Sequence, residues 1–266
     1  MTCRPSTPEP ADTKGPPLLL LTLLFLATAC LYAMAGFGGG STYTALLALW
    51  SVELAAVPVI SLACNILVVG VGSWRFARAG HVDWRRIWPL FAASVPAAFL
   101  GGVLPVPRIA FIGLLALSLL VAGLVMLWRP REDDRAPGRF PFWLEPLVGG
   151  LLGLLAGIVG IGGGIYLAPV LHLLRWGTAH AIAGTCAVFI LVNSLGGLAG
   201  QFAKSGTGTL TILADHWPLL PAVLVGGMAG SLLTTTRLPA YPLRLITAVL
   251  ILFVAGQLGV RFFALL

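Results

Sequence analysis

The stretch Gly157-Ile-Val-Gly-Ile-Gly-Gly-Gly-Ile-Tyr-Leu-Ala-Pro169 and the earlier Gly36-Phe-Gly-Gly-Gly-Ser41 carry the same G-x-G-G-G pattern. Consecutive glycines are poor helix formers, each costing about 1 kcal/mol relative to alanine. Both runs nevertheless interrupt long apolar segments, since residues 15–52 and 146–174 contain no Asp, Glu, Lys or Arg. A helix broken there leaves backbone groups that hydrocarbon cannot satisfy. Such a break is tolerated only where it lines a cavity or is buried in protein. Beyond each break a half-helix begins, near Ser41 and near Ile165. Its first N–H groups and positive dipole end can bind an anion. The competing reading is that the glycines only let helices pack closely. Gly149, Gly153 and Gly157, spaced four apart, are read in that second way.

Working outward, the rest of the chain has the same apolar character. It has 266 residues, 58% of them hydrophobic and only 9% charged. So few charges cannot cover a soluble protein of this size, and so much apolar surface excludes disorder. Further charge-free windows span 54–74, 87–107, 109–128, 176–203, 216–236 and 245–260. Most have about the ~20 residues that a helix needs to cross a bilayer. They are uniformly apolar rather than alternating, which argues against a β-barrel. The fold expected is an all-α polytopic membrane protein with about eight spans. Arg75, Arg78, Arg85 and Arg86 cluster in one loop, and Arg129, Arg131, Arg135 and Arg139 in another. By the positive-inside rule both loops are cytoplasmic, and the two intervening spans keep that assignment consistent. The basic balance therefore calls for no nucleic-acid partner.

Five landmarks recur in order. After the glycine runs come Trp50 and Trp176, then Asn65 and Asn193, each followed seven residues on by Gly72 and Gly200. Trp88-Pro89-Leu90 and Trp217-Pro218-Leu219 follow, then Gly101 and Gly230, and the offset drifts only from 124 to 129. We read a duplication: a tail at 1–16, one repeat at 17–128, a charged cytoplasmic linker at 129–143 and a second repeat at 144–266. Each repeat opens with the glycine-broken helix. The repeats are parallel if that unit crosses once and inverted if it folds back, and analogy with other transporters favours inversion.

Polar residues within the apolar windows are the candidates for chemistry. Asn65 and Asn193 sit at matched positions, as ligands or as interhelical hydrogen-bonding groups. Ser41 and Thr42 follow the first break, whereas Ile165 and Tyr166 follow the second. Glu53, Asp83, Glu145 and Asp215 all sit near span ends, so a buried carboxylate relay is not expected. His172 reads as a packing residue, and Arg75 and Arg175 flank matched segments. No H-E-x-x-H, G-x-S-x-G or GxxxxGK[ST] occurs, and the four cysteines show no ligand spacing. An enzyme, a cofactor and a metal site are not expected.

The two glycine runs, with Trp176-Gly177 and Ala183-Gly184-Thr185, resemble the duplicated signature of the TauE/SafE family, the sulfite exporter or toluene-sulfonate uptake permease group. The first copy departs from it, with Ala45 where a proline is expected and Val57–Ile60 in place of Ala-Gly-Thr. The likeness extends over about residues 18–264. It implies a carrier of a small anion, often sulfur-containing, such as sulfite or a sulfonate, working in either direction. The expectation is a secondary transporter that works by alternating access in the cell (inner) membrane. Gly38, Gly39, Gly40, Ser41, Thr42, Asn65, Gly162, Gly163, Gly164 and Asn193 would bind substrate. A passive pore and a non-transporting assembly subunit stand as alternatives. Coupling to a proton or cation, and homo-oligomerisation, stay open.

Overall fold

The computed structural model describes residues 18–34, 37–127, 143–174, 176–233 and 240–265. Its helices are α1 (Leu18–Met34), α2 (Gly40–Leu49), α3 (Ala56–Arg78), α4 (Trp84–Val103), α5 (Arg108–Leu127) and α6 (Leu144–Val159). They continue with α7 (Gly164–Leu173), α8 (Ala179–Ser205), α9 (Thr207–Asp215), α10 (Leu219–Leu233) and α11 (Ala240–Ala264). Among the described residues there is no β-strand. The fold is an all-α polytopic membrane bundle. Every charge-free window holds a helix or a broken pair, and the windows 15–52 and 146–174 hold the pairs α1–α2 and α6–α7. α3, α4, most of α5 and most of α8 are individually long and apolar enough to cross a membrane, and α9 with α10 forms a pair bent by 69°. The linker 129–142, Gly36 and Arg175 lie outside the described residues, as does the side chain of His172.

Helix directions follow from which glycines meet which carbonyls. A Cβ on Gly149, Gly153 or Gly157 of α6 would strike the carbonyl of Leu90, Ser94 or Ala98 of α4 in turn. Both helices therefore rise together, and the small-residue stripe is a packing seam. Gly226 and Gly230 of α10 meet the carbonyls of Leu26 and Cys30 in the same parallel sense. Gly196 and Gly200 of α8 climb α4 beside Val95 and Phe99. α3 and α8 are antiparallel, because Leu62 faces Gly197 while Phe76 faces Gly184. α5 and α11 are antiparallel too, with Gly113 at Phe262 and Gly123 at Leu252.

α6 and α8 thus both run with α4, although only α7 separates them in sequence. This requires α7 to turn back. Gly164 packs on Cys186 and Ile190, while Leu171 and Trp176, further along, cluster with Ile182. α7 therefore runs opposite to α8, and α6–α7 is a hairpin. α1–α2 is built likewise. The Ser61 hydroxyl donates to the carbonyl of Gly40, and Leu46 and Leu47 reach back to Ala56 and Val57 at the start of α3. The two hairpins enter from opposite ends of the bundle.

The outer surface is apolar. Leu19, Trp88, Trp217 and Phe263 are each at least 65% exposed. Matched Trp88 and Trp217 sit near the first turns of α4 and α10, at opposite ends, where indole rings mark membrane interfaces. Ordered polar groups turn inward, with Asn65, Asn193, Ser61 and Ser194 all fully buried. At the end carrying the Arg75–Arg86 loop, Asp83 caps α4 by accepting from the N–H groups of Arg85 and Arg86. The guanidinium of Arg86 stacks 4.0 Å over Trp176 and donates to its carbonyl at 2.5 Å.

Candidate functional site

The two glycine breaks meet. A Cβ on Gly40 would fall 2.5 Å from the Ile161 carbonyl oxygen and 2.5 Å from Nδ2 of Asn65. One on Gly38 would fall 2.6 Å from Oδ1 of Asn65, and one on Gly162 would fall 3.0 Å from its Nδ2. No residue but glycine leaves room for this crossing. The backbone also demands glycine, since Gly39, Gly160, Gly162 and Gly163 have φ of 81°, 83°, 83° and 77°.

Ser61 and Asn65, one turn apart on α3, tie the crossing together. The Ser61 hydroxyl lies 3.2 Å from the Gly40 carbonyl and 2.8 Å from the Gly160 carbonyl, and Nδ2 of Asn65 donates to Gly160 at 3.4 Å. On the other side Nδ2 of Asn193 donates to Phe189 one turn back at 2.8 Å. These acceptors settle how both amides are turned, because a flipped amide would oppose two carbonyl-type oxygens. Oδ1 of Asn65, Oδ1 of Asn193 and the Ser194 hydroxyl are then buried with no partner among the described residues. Orphaned buried polar atoms are costly and rare, so three of them on the helices that flank the breaks ask for a functional explanation.

The half-helix ends add donors. The first backbone bonds of α2 run from Thr42 and Tyr43 to Gly39, and those of α7 from Tyr166 and Leu167 to Gly163. The N–H groups of Gly40, Ser41, Gly164 and Ile165 precede them and have no acceptor among the described residues. Gly163 is backed by the ring of Phe189 and by the Leu152 carbonyl, and Gly164 by Ile190. The side chains of Ser41 and Thr42 take up a more local role. Both face the Tyr32 hydroxyl, at 3.4 Å and 2.9 Å, at the end of α1.

Of the residues singled out in sequence, Gly38, Gly40 and Gly162 all border the Asn65 side chain. Gly39 and Gly163 are the left-handed turns behind them. Ser61, one turn before Asn65, was not among those singled out. The carbonyls of Gly160 and Ile161 carried no signal, because backbone groups look alike in any sequence.

A helical membrane bundle whose broken helices meet beside orphaned polar groups is the architecture of a membrane transporter. The family model described as Sulfite exporter TauE/SafE matches residues 20–258. The chain belongs to this family. It is 34% identical over 236 residues to the probable membrane transporter protein y4hK of Sinorhizobium fredii, covering 87% of this chain and 94% of that one. It is 26% identical over 205 residues to the probable membrane transporter protein MJ0441 of Methanocaldococcus jannaschii, covering 72% and 76%. No solved structure matches the chain.

Proposed function

We propose that this membrane transporter is a secondary carrier of a small anion, a sulfur-containing oxyanion or organosulfonate such as sulfite, in the cell (inner) membrane. The observation that carries the reading is the crossing itself. Free N–H groups at the starts of α2 and α7, with no buried Lys or Arg among the described residues, offer an anion a neutral and readily reversible hold. The sulfur assignment rests on the family description, which names a sulfite exporter.

The mechanism is alternating access between two inverted repeats. The matched packing supports the duplication: Gly101 meets the Leu154 carbonyl and Gly230 meets the Cys30 carbonyl, and these four residues are partners under the sequence offset. The opposed hairpins support the inversion. Full burial of Asn65 and Asn193 favours a carrier over a pore, because a pore would leave them wet. Reconstituted Gly39→Leu and Gly163→Leu proteins test the site. Anion flux into proteoliposomes should disappear while the proteins still insert, and unchanged flux would overturn the assignment.

A further inference from the structure

A cavity of about 460 Å³ opens at the end of the bundle opposite the Arg75–Arg86 loop, between the start of α3 and the ends of α4 and α8. Its floor includes Pro58 and Ile158. Pro58 also packs on Gly160, so this floor lies directly over the glycine crossing. Gln201 lines the cavity and is 5% exposed, while its backbone carbonyl is held by the Thr209 hydroxyl. An amide that faces a cavity offers a ligand both a donor and an acceptor.

The rest of the lining carries a sign. Arg108 and Lys204 stand at the rim against one carboxylate, Glu53. Arg108 is the first residue of α5, where a cation opposes the helix dipole instead of complementing it. Helix stability does not explain that placement, whereas an anion near the cavity would feel both the guanidinium and the positive helix end. Ser51, also in the lining, has φ 54°, and is the one non-glycine residue with positive φ among those described. It is the left-handed residue that closes α2, with the Ser51 N–H returning to Ala48 and the Val52 N–H to Leu47. Leu54, Phe111 and Ile212 make much of the wall apolar. The volume falls within the ~300–1,000 Å³ of pockets that enclose organic ligands.

We infer that this cavity is a second binding site, an entrance vestibule that holds an organic anion, a sulfonate or carboxylate head on a short apolar body. The head meets Gln201 and Arg108, with Lys204 adding charge from the rim, and the apolar body rests on the Leu54–Phe111 wall. The binding site stands on the cavity, and its role as a capture step ahead of the crossing rests on the transport reading above.

Benzenesulfonate and benzoate, with sulfate as a bare oxyanion, are the probes for calorimetric titration of the purified full-length protein in nanodiscs. Saturable binding of at least one aromatic anion, tighter than that of sulfate, is expected. Gln201→Leu should weaken it about tenfold and Arg108→Gln about threefold or more, whereas Glu53→Gln should tighten it. Binding indifferent to both Gln201→Leu and Glu53→Gln, or no saturable binding, overturns the site. Asn65→Leu separates this inference from the transport proposal. It should leave vestibule binding intact, and loss of binding there would place the anion at the crossing instead. Unchanged flux in Asn65→Leu with binding retained would count against the central site and leave the vestibule standing.

Discussion

Asn65 shows how one side chain can serve structure weakly and function strongly. Among the described residues its side chain makes one hydrogen bond, a 3.4 Å contact to Gly160, and its Oδ1 is buried without a partner. Replacing it with leucine removes an unsatisfied polar atom and keeps the volume, and the Gly160 carbonyl left behind still accepts from Ser61 at 2.8 Å. We therefore expect Asn65→Leu to leave the melting temperature in detergent within a few degrees of wild type. Initial flux should fall by about tenfold or more, equivalent to ~1.4 kcal/mol. A large drop in melting temperature with flux per folded molecule preserved would make Asn65 a structural clamp. Sequence matching brought out Asn65 and Asn193 together, yet their environments differ. Asn65 reaches across to the opposite hairpin, while Asn193 bonds its own helix at Phe189. The difference comes from Ser61 and Gly160 on the first side, since Phe189 stands at the position matched to Ser61.

At the scale of elements, the α4–α6 seam decides how closely a hairpin is held to the bundle. Gly153 packs directly on the Ser94 carbonyl, and a side chain there must push backbone away. Gly153→Leu should destabilise the protein by about 1–3 kcal/mol or more through overpacking. Gly150, on the same helix, has nothing within 4 Å. Gly150→Ala should be neutral, or stabilising by up to about 1 kcal/mol from helix propensity. Thermal unfolding of both variants in one detergent checks the pair, and equal effects would mean that the seam is not where the packing lies. The stripe itself was legible in sequence from its four-residue spacing. α9 was not. It lies between the charge-free windows 176–203 and 216–236 and is held by tertiary contact, with the Thr209 hydroxyl donating to the Gln201 carbonyl at 3.1 Å. Gly72, matched to Gly200 in sequence, also meets no close neighbour, whereas Gly200 packs on Phe99.

For the molecule as a whole, the helix directions place Ser51 and Ser205 at one end, where both line the same cavity, and Ala79 at the other end of α3. In a chain whose four native cysteines are replaced, Ser51→Cys and Ser205→Cys should react with a membrane-impermeant maleimide on intact cells. Ala79→Cys should react only after permeabilisation, since its loop carries the arginines read as cytoplasmic. Reaction of all three from one side would refute the opposed hairpins and with them the inverted-repeat mechanism.

The amino-acid sequence alone determined that the chain lives in a membrane, which windows are helical, where the arginine loops lie and which two segments are broken. Each of these depends on local composition, on apolar length, charge position or glycine content, and needs no knowledge of neighbours. Whether the broken units cross the membrane or turn back was decided only in three dimensions. A glycine run permits either path, and the choice falls to where carbonyls on α4 and α1 find a surface without side chains. The same packing brings Gly40 against Ile161 and leaves the Asn65 oxygen unpaired. It also opens the Gln201 cavity above them. These features depend on residues far apart in the chain, and so on the tertiary structure.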